Sequence, residues 1–145
     1  MTEELTKALS LLKSDRAITL AVVNRGESRI FSARGVKPLL ELATATTGFL
    51  EGASVADKVT GSASAFILVQ SKVKELYTDV ISERAAQILK EHGIPYVAPT
   101  TVEGIVNRQG NGSCPMETAV KDIEDPQRAI RAISDKLTEL SETNK

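Results

Sequence analysis

The chain has 145 residues, a length suited to one domain that buries about two-thirds of the surface its unfolded form exposes. Its 18 basic and 19 acidic residues leave a net charge of −1, which argues against a duplex nucleic-acid binder that must neutralise many phosphates, while three Phe, two Tyr and no Trp offer little for stacking single-stranded bases. No apolar run approaches the roughly 20 residues that span a bilayer, and a lone cysteine, Cys114, rules out an internal disulfide.

Met1-Thr2-Glu3-Glu4-Leu5 is acidic and helix-like, without the basic start and apolar stretch of a signal peptide, so a cytosolic location is expected. Leu5, Ala8, Leu9 and Leu12 recur at helical spacing behind Thr2, a capping residue, and predict a helix from Glu3 to Lys13. Ala17 to Val23 is a near-continuous apolar run, the mark of a strand covered on both faces. Asn24-Arg25-Gly26-Glu27 supplies a turn, and Ser28 to Ser32 returns as a second strand. Pro38, just after Arg34-Gly35, opens a short helix carrying Leu39, Leu40 and Leu42.

Ser54 to Val69 is predicted as one helix, whose small-residue centre Gly61-Ser62-Ala63-Ser64-Ala65 lets a neighbouring layer approach closely. Lys74 to Val80 reads as a strand, Ser82 caps a helix from Glu83 to Glu91 that Gly93 ends, and Ile94 to Ala98 is a further strand. Pro115 opens one helix. Asp125-Pro126 starts another, with Ile130, Ile133, Leu137 and Leu140 on one face, and the polar tail 141–145 frays. Strand alternating with helix implies an α/β fold with parallel pairing, and no linker divides residues 1–145 into more than one domain.

Chemistry concentrates in Asn107-Arg108-Gln109-Gly110-Asn111-Gly112-Ser113-Cys114-Pro115-Met116-Glu117. With Pro115 first in the helix, Cys114 falls at the N-cap and Glu117 three residues on, as in a capping box whose hydroxyl is replaced by a thiol. The helix N-terminus would favour the thiolate. The same N–H groups, with Arg108, Gly110 and Gly112, could instead hold a phosphate or carboxylate. The plain alternative is a glycine-rich turn with Cys114 as a small buried hydrophobe.

Asp57 and Lys58 fall in the first turn of the helix predicted from Ser54, where the dipole favours an aspartate and not a lysine. They are either a general base and an anion contact, or a capping carboxylate and a solvated charge. His92, the only histidine, sits at a helix C-terminus and reads as structural. One His and one Cys cannot supply three His/Cys ligands to a catalytic zinc, so neither metal nor cofactor is expected.

Arg34-Gly35-Val36-Lys37-Pro38-Leu39-Leu40, Gly52-Ala53-Ser54-Val55-Ala56-Asp57-Lys58-Val59-Thr60-Gly61 and the stretch from Asn107 to Glu117 together resemble the domain-of-unknown-function family DUF1893, over most of the chain. That family is similar to the cytidine-deaminase-like fold, which implies a three-layer α/β/α arrangement with a mixed sheet. Deaminases of that fold open one helix with His-Ala-Glu and the next with Pro-Cys-x-x-Cys. Aligned here, the first becomes Val55-Ala56-Asp57, which keeps a carboxylate and loses the ligand, and the second, Ile81-Ser82-Glu83-Arg84-Ala85, has no cysteine. Zinc-dependent deamination is therefore not expected.

Two functions remain open. One is a metal-independent enzyme acting on a small anionic or nucleotide-like metabolite, with Cys114 as nucleophile, Asp57 as acid/base, and Lys58, Asn107, Arg108, Gly110, Gly112, Ser113, Glu117, Arg34 and Gly35 binding the ligand. The other is a non-catalytic ligand-binding or regulatory module on the same fold. A homo-oligomer formed through the stripe Ile130, Ile133, Leu137 and Leu140 is a further expectation.

Overall fold

The structure, a computed structural model, describes residues 1–106 and 114–143. Its elements in chain order are α1 (Glu3–Ser14), β1 (Leu20–Asn24), β2 (Glu27–Phe31), α2 (Lys37–Thr44), β3 (Ser54–Thr60), α3 (Ser62–Gln70), β4 (Glu75–Ser82), α4 (Glu83–Glu91), β5 (Tyr96–Val97), β6 (Thr100–Val102), α5 (Pro115–Ala119) and α6 (Pro126–Thr143). The sheet is mixed. Its order is β2-β1-β3-β4-β5, with β6 also beside β4; β1 is antiparallel to β2 and β3, and the remaining pairs are parallel.

The hairpin between β1 and β2 turns on Arg25 and Gly26, at φ 52° and 79°, the left-handed pair that a two-residue turn demands. Every residue of β1 is buried, as its unbroken apolar run predicts. Alternation along β1, β3 and β4 sends Leu20, Val22, Val55 and Leu76 toward α2–α6, and Ala21, Val23, Ala56 and Tyr77 toward α1. These are the three layers α/β/α.

Two elements depart from the sequence reading. Ser54–Val69 is not a single helix; it is β3, a break at Gly61, and α3. Val55, Val59 and Thr60 are β-branched and lose rotamer freedom in a helix, and the slot between β1 and β4 needs a strand. α3 is buried nearly all round, from Ser62 to Leu68, which suits a helix enclosed by α2, α4 and α6 rather than an amphipathic surface one. β6 is a second departure, since the sequence carried no clear strand signal there.

Elsewhere the local signals are met. Thr2 caps α1 through the Leu5 N–H at 3.1 Å, Ser82 caps α4 through the Ala85 N–H at 3.1 Å, and Asp125 caps α6 through the Arg128 N–H at 3.0 Å. At the far end of α4 the His92 Nδ1 donates to the Ile88 carbonyl at 2.9 Å. α6 continues through Thr143, and the last two residues of the predicted tail, 144–145, lie outside the described residues.

α6 lays Ile133, fully buried, into the core, and Ile130, Leu137 and Leu140 pack around it. This stripe therefore covers the chain's own α3 layer. Ile133→Ala should lower stability by about 2–5 kcal/mol, the range for emptying a buried Leu or Ile site, read as a fall in the urea midpoint with unchanged slope. A loss below about 0.5 kcal/mol, the scale of an ordinary surface change, would show that α6 is not seated this way.

Candidate functional site

Because β1 runs against its neighbours, β2, β3, β4 and β6 all end at one edge of the sheet. Phe31, Leu20, Asp57 and Thr78 form a row across it, each in register with the next. The chain leaves this edge through the 32–36 loop, Gly61 into α3, Ser82 into α4, and the segment after Val102. Crevices outside the carboxyl ends of parallel strands are where α/β folds hold ligands. Arg34 and Gly35 lie exposed in the first of these loops, Gly35 at φ 81°.

Asp57 shares its face with Leu20 and Thr78, toward α3. Pairing then runs from Asp57↔Thr78 to Val59↔Val80, omitting Lys58 and Asp79. Past this break the faces exchange: Ile81 joins the core on the α3 side, and the Thr60 hydroxyl donates to Thr78 Oγ1 at 3.0 Å. Bulge-like breaks of this kind re-aim side chains near functional sites. Asp57 Oδ1 accepts the Lys58 N–H at 2.8 Å. The side chain keeps some contact with solvent but has protein on most sides, and this burial pushes its carboxyl up to about 7, against the Lys58 and Val59 N–H groups and aided by the charge of Asp79.

Lys58 does not accompany it. Asp57 and Lys58 sit mid-strand on opposite faces, not in a first helical turn, and the Lys58 ammonium donates to the Arg16 carbonyl beside the end of α1. On that α1 face Asp79 accepts from Lys13 at 2.6 Å and from the Tyr77 hydroxyl at 2.7 Å. Desolvation alone would raise Asp79, but those hydrogen bonds and the charges of Lys13 and Lys58 outweigh it and hold the carboxyl below its ordinary value. The two carboxyls are thus shifted in opposite directions, Asp57 upward on the α3 face and Asp79 downward on the α1 face.

The opening of α3 is where a ligand anion would be sought, and the chain fills it itself. Gly61 at the N-cap has no side chain to accept hydrogen bonds. Glu117, from α5, accepts the Ser62 N–H at 2.7 Å and the Ala63 N–H at 3.0 Å. It is therefore not the second half of a capping box at Cys114. A Cβ on Gly61 would stand 2.5 Å from Glu117 Oε1, so only glycine admits the carboxylate. At the other end of α5, Arg84 donates to the Val120 and Ile123 carbonyls at 2.7 and 2.6 Å and stacks 5.5 Å from the Phe66 ring centroid.

Cys114 is the N-cap of α5 but makes no side-chain cap bond. It is half-buried, packs on the core between the sheet and α3, and donates its N–H to the Ile105 carbonyl at 3.0 Å. It lies on the same side of the sheet as Asp57. The other predicted ligand residues of this stretch, Asn107, Arg108, Gly110, Gly112 and Ser113, lie outside the described residues. Sequence reasoning missed Thr60 and Thr78, and it named Glu117 as a ligand contact and Gly61 as part of a helix centre without seeing that together they open α3. Only Gly61 carried a signal, as a break between β-branched and helical stretches.

The deaminase alignment also shifts. Val55-Ala56-Asp57 lies within β3, and the helix that follows opens with Gly61-Ser62-Ala63, while α4 opens with Ser82-Glu83-Arg84. Neither opening offers an imidazole or thiol, and among the described residues no three His, Cys, Asp or Glu side chains are grouped to hold a metal ion. The donor set does not fit the deaminase zinc. Also among the described residues, no helix is long and apolar enough to cross a membrane.

The family model for the domain of unknown function DUF1893 matches residues 7–137. The crystal structure of a DUF1893 family protein (TM1506) from Thermotoga maritima is similar to the chain with a TM-score of 0.82 and 26% identity, covering 94% of this chain and 92% of that one. No curated protein matches the chain.

Two outcomes follow from this geometry. Glu117→Ala should cost about 1.5–3 kcal/mol, the scale of hydrogen bonds to a charged group. Gly61→Ala should cost a similar amount by displacing the carboxylate, and the double variant should cost no more than Glu117→Ala alone; additive losses in a denaturant-unfolding cycle would disprove the linkage. For Asp57, a folded value of about 7 against about 3.9 in the unfolded chain means that the folded state holds the proton more tightly. Its contribution to stability is full below pH ~4 and lost as pH rises through ~7. Asp57→Asn should therefore melt above wild type near pH ~8, with the gap closing toward pH ~4; a gap independent of pH would contradict the raised value.

Proposed function

Since the chain belongs to the domain-of-unknown-function family DUF1893, whose name assigns no activity, we propose its function from the site itself: a cytosolic enzyme acting on a small anionic or nucleotide-like metabolite, with Asp57 as acid/base and Cys114 as nucleophile. The observation that carries this reading is the Asp57 carboxyl, partly solvent-accessible at the carboxyl ends of the parallel strands, pushed up to about 7 by burial and without a cation beside it among the described residues. A group poised there can take a proton from an attacking atom and return it to a leaving group. Cys114, on the same side of the sheet, supplies the only thiol, and the exposed Arg34 on the neighbouring loop supplies a charge for an anionic substrate.

A binding module is favoured by one observation, that Glu117 occupies the α3 N-terminus from within. The two readings separate in a turnover screen of nucleosides, nucleotides and small carboxylates followed by NMR. Enzymatic function predicts turnover that Asp57→Asn reduces by about 10²-fold or more, the usual share of general acid–base catalysis, and that Cys114→Ser abolishes. Ligand-induced shifts without turnover, retained in Cys114→Ser, would instead establish the binding module.

A further inference from the structure

The two edges of the sheet are built differently. The β5/β6 edge is broken into strands of two and three residues flanked by Pro95 and Pro99, devices that keep an edge from pairing. The β2 edge has none of them. It is an unbroken five-residue strand paired, among the described residues, only with β1, and it carries Ile30, 52% exposed, on the α1 face beside Ala21.

In a two-residue hairpin the residues flanking the turn exchange hydrogen bonds, and bonded pairs then alternate. Asn24↔Glu27 and Val22↔Arg29 are such pairs, so the N–H and C=O groups of Ser28 and Ile30 point outward. Alongside them, toward α2, runs a groove of about 370 Å³ lined by residues 30–33 with Lys37, Pro38 and Glu41. Its two charged residues, Lys37 and Glu41, make no ion pair among the described residues.

We propose that β2 pairs antiparallel with β2 of a second copy across a twofold axis at Ile30, joining the two sheets into one. This register lets the outward groups of each Ile30 bond to the other and packs the two exposed side chains together. It places the partner subunit's Arg29 opposite Phe31 and the partner subunit's Glu27 opposite Ala33, on the groove side. There they face Glu41 and Lys37, opposite charge to opposite charge, and the twofold repeats each pair. Centring the axis one residue earlier would set Arg29 directly against its own copy, a like-charge pair. The Arg29 guanidinium now rests 4.3 Å from the Phe49 ring centroid and 3.4 Å from Glu27, an exposed arrangement from which it can turn outward.

The test is sedimentation equilibrium over a concentration series, with circular dichroism to verify folding. Wild type should approach twice the 15.6 kDa of one chain. Ile30→Lys and Glu41→Arg should each weaken self-association by about tenfold or more, since both set like charges or a charge into the contact, and adding Arg29→Glu to Glu41→Arg should restore it. A wild type that stays at the mass of one chain overturns the proposal. So does a dimer that folded Ile30→Lys and Glu41→Arg leave intact, or a folded charge swap that fails to recover.

Discussion

The Glu117 carboxylate on the backbone of Ser62 and Ala63 joins segments 55 and 54 residues apart, and the edge of the sheet takes its form from that join. α3 is enclosed on nearly all sides, so the orphan N–H groups of its first turn need an acceptor from within the protein. Gly61 supplies none and instead leaves room for one from elsewhere. α5, with only five residues, is far too short to hold its shape alone. It is fastened by Glu117 at α3 and by Arg84 on the carbonyls at its other end, and Cys114 is placed where it is as a consequence.

Buried carboxylates elsewhere show why Asp57 stands apart. Glu75, at the opposite end of the strands, accepts the hydroxyls of Thr2 and Ser54 at 2.5 Å each, tying the start of α1 to β3 and β4. Asn24 closes the same end by donating to the Phe49 and Glu51 carbonyls at 2.8 and 2.9 Å. That end is a finished polar network. Asp57 has backbone N–H groups from its immediate successors and, among the described residues, no neighbouring cation, so desolvation wins and the proton is held toward neutrality. Strand alternation turns the Lys58 ammonium to the opposite face, away from the carboxyl.

Fold alone assigns no reaction. What distinguishes this sheet is its asymmetry: among the described residues one helix lies on one face and five on the other, and one edge is interrupted by prolines while the other is left regular. The polar chemistry gathers at the carboxyl ends of the strands, and the unpaired edge lies at β2, next to the Arg34 loop. The two features share the 32–36 segment, so any partner that docks at β2 also borders the candidate site.

Much of the architecture was written locally. Caps at Thr2, Ser82 and Asp125, the Arg25-Gly26 turn, the buried run of β1 and the prolines opening α2, α5 and α6 each act within a few residues, where short-range sterics and hydrogen bonds decide the outcome. The resemblance carried by three separate strings placed the chain in its family. What the sequence misstated was Ser54 to Thr60, because small and β-branched residues before a glycine satisfy either period until neighbouring strands claim them. That error moved Asp57 and Lys58 from one helical turn to opposite faces of a sheet, a distinction that alternation makes only once the strand exists. Nor could Glu117 be read as the cap of α3, since two N–H groups and a carboxylate more than fifty residues away meet only when the layers close. Sequence by itself determined the local turns, caps and most of the elements; tertiary packing decided which polar side chains face one another, because desolvation and hydrogen-bond geometry depend on neighbours distant in the chain.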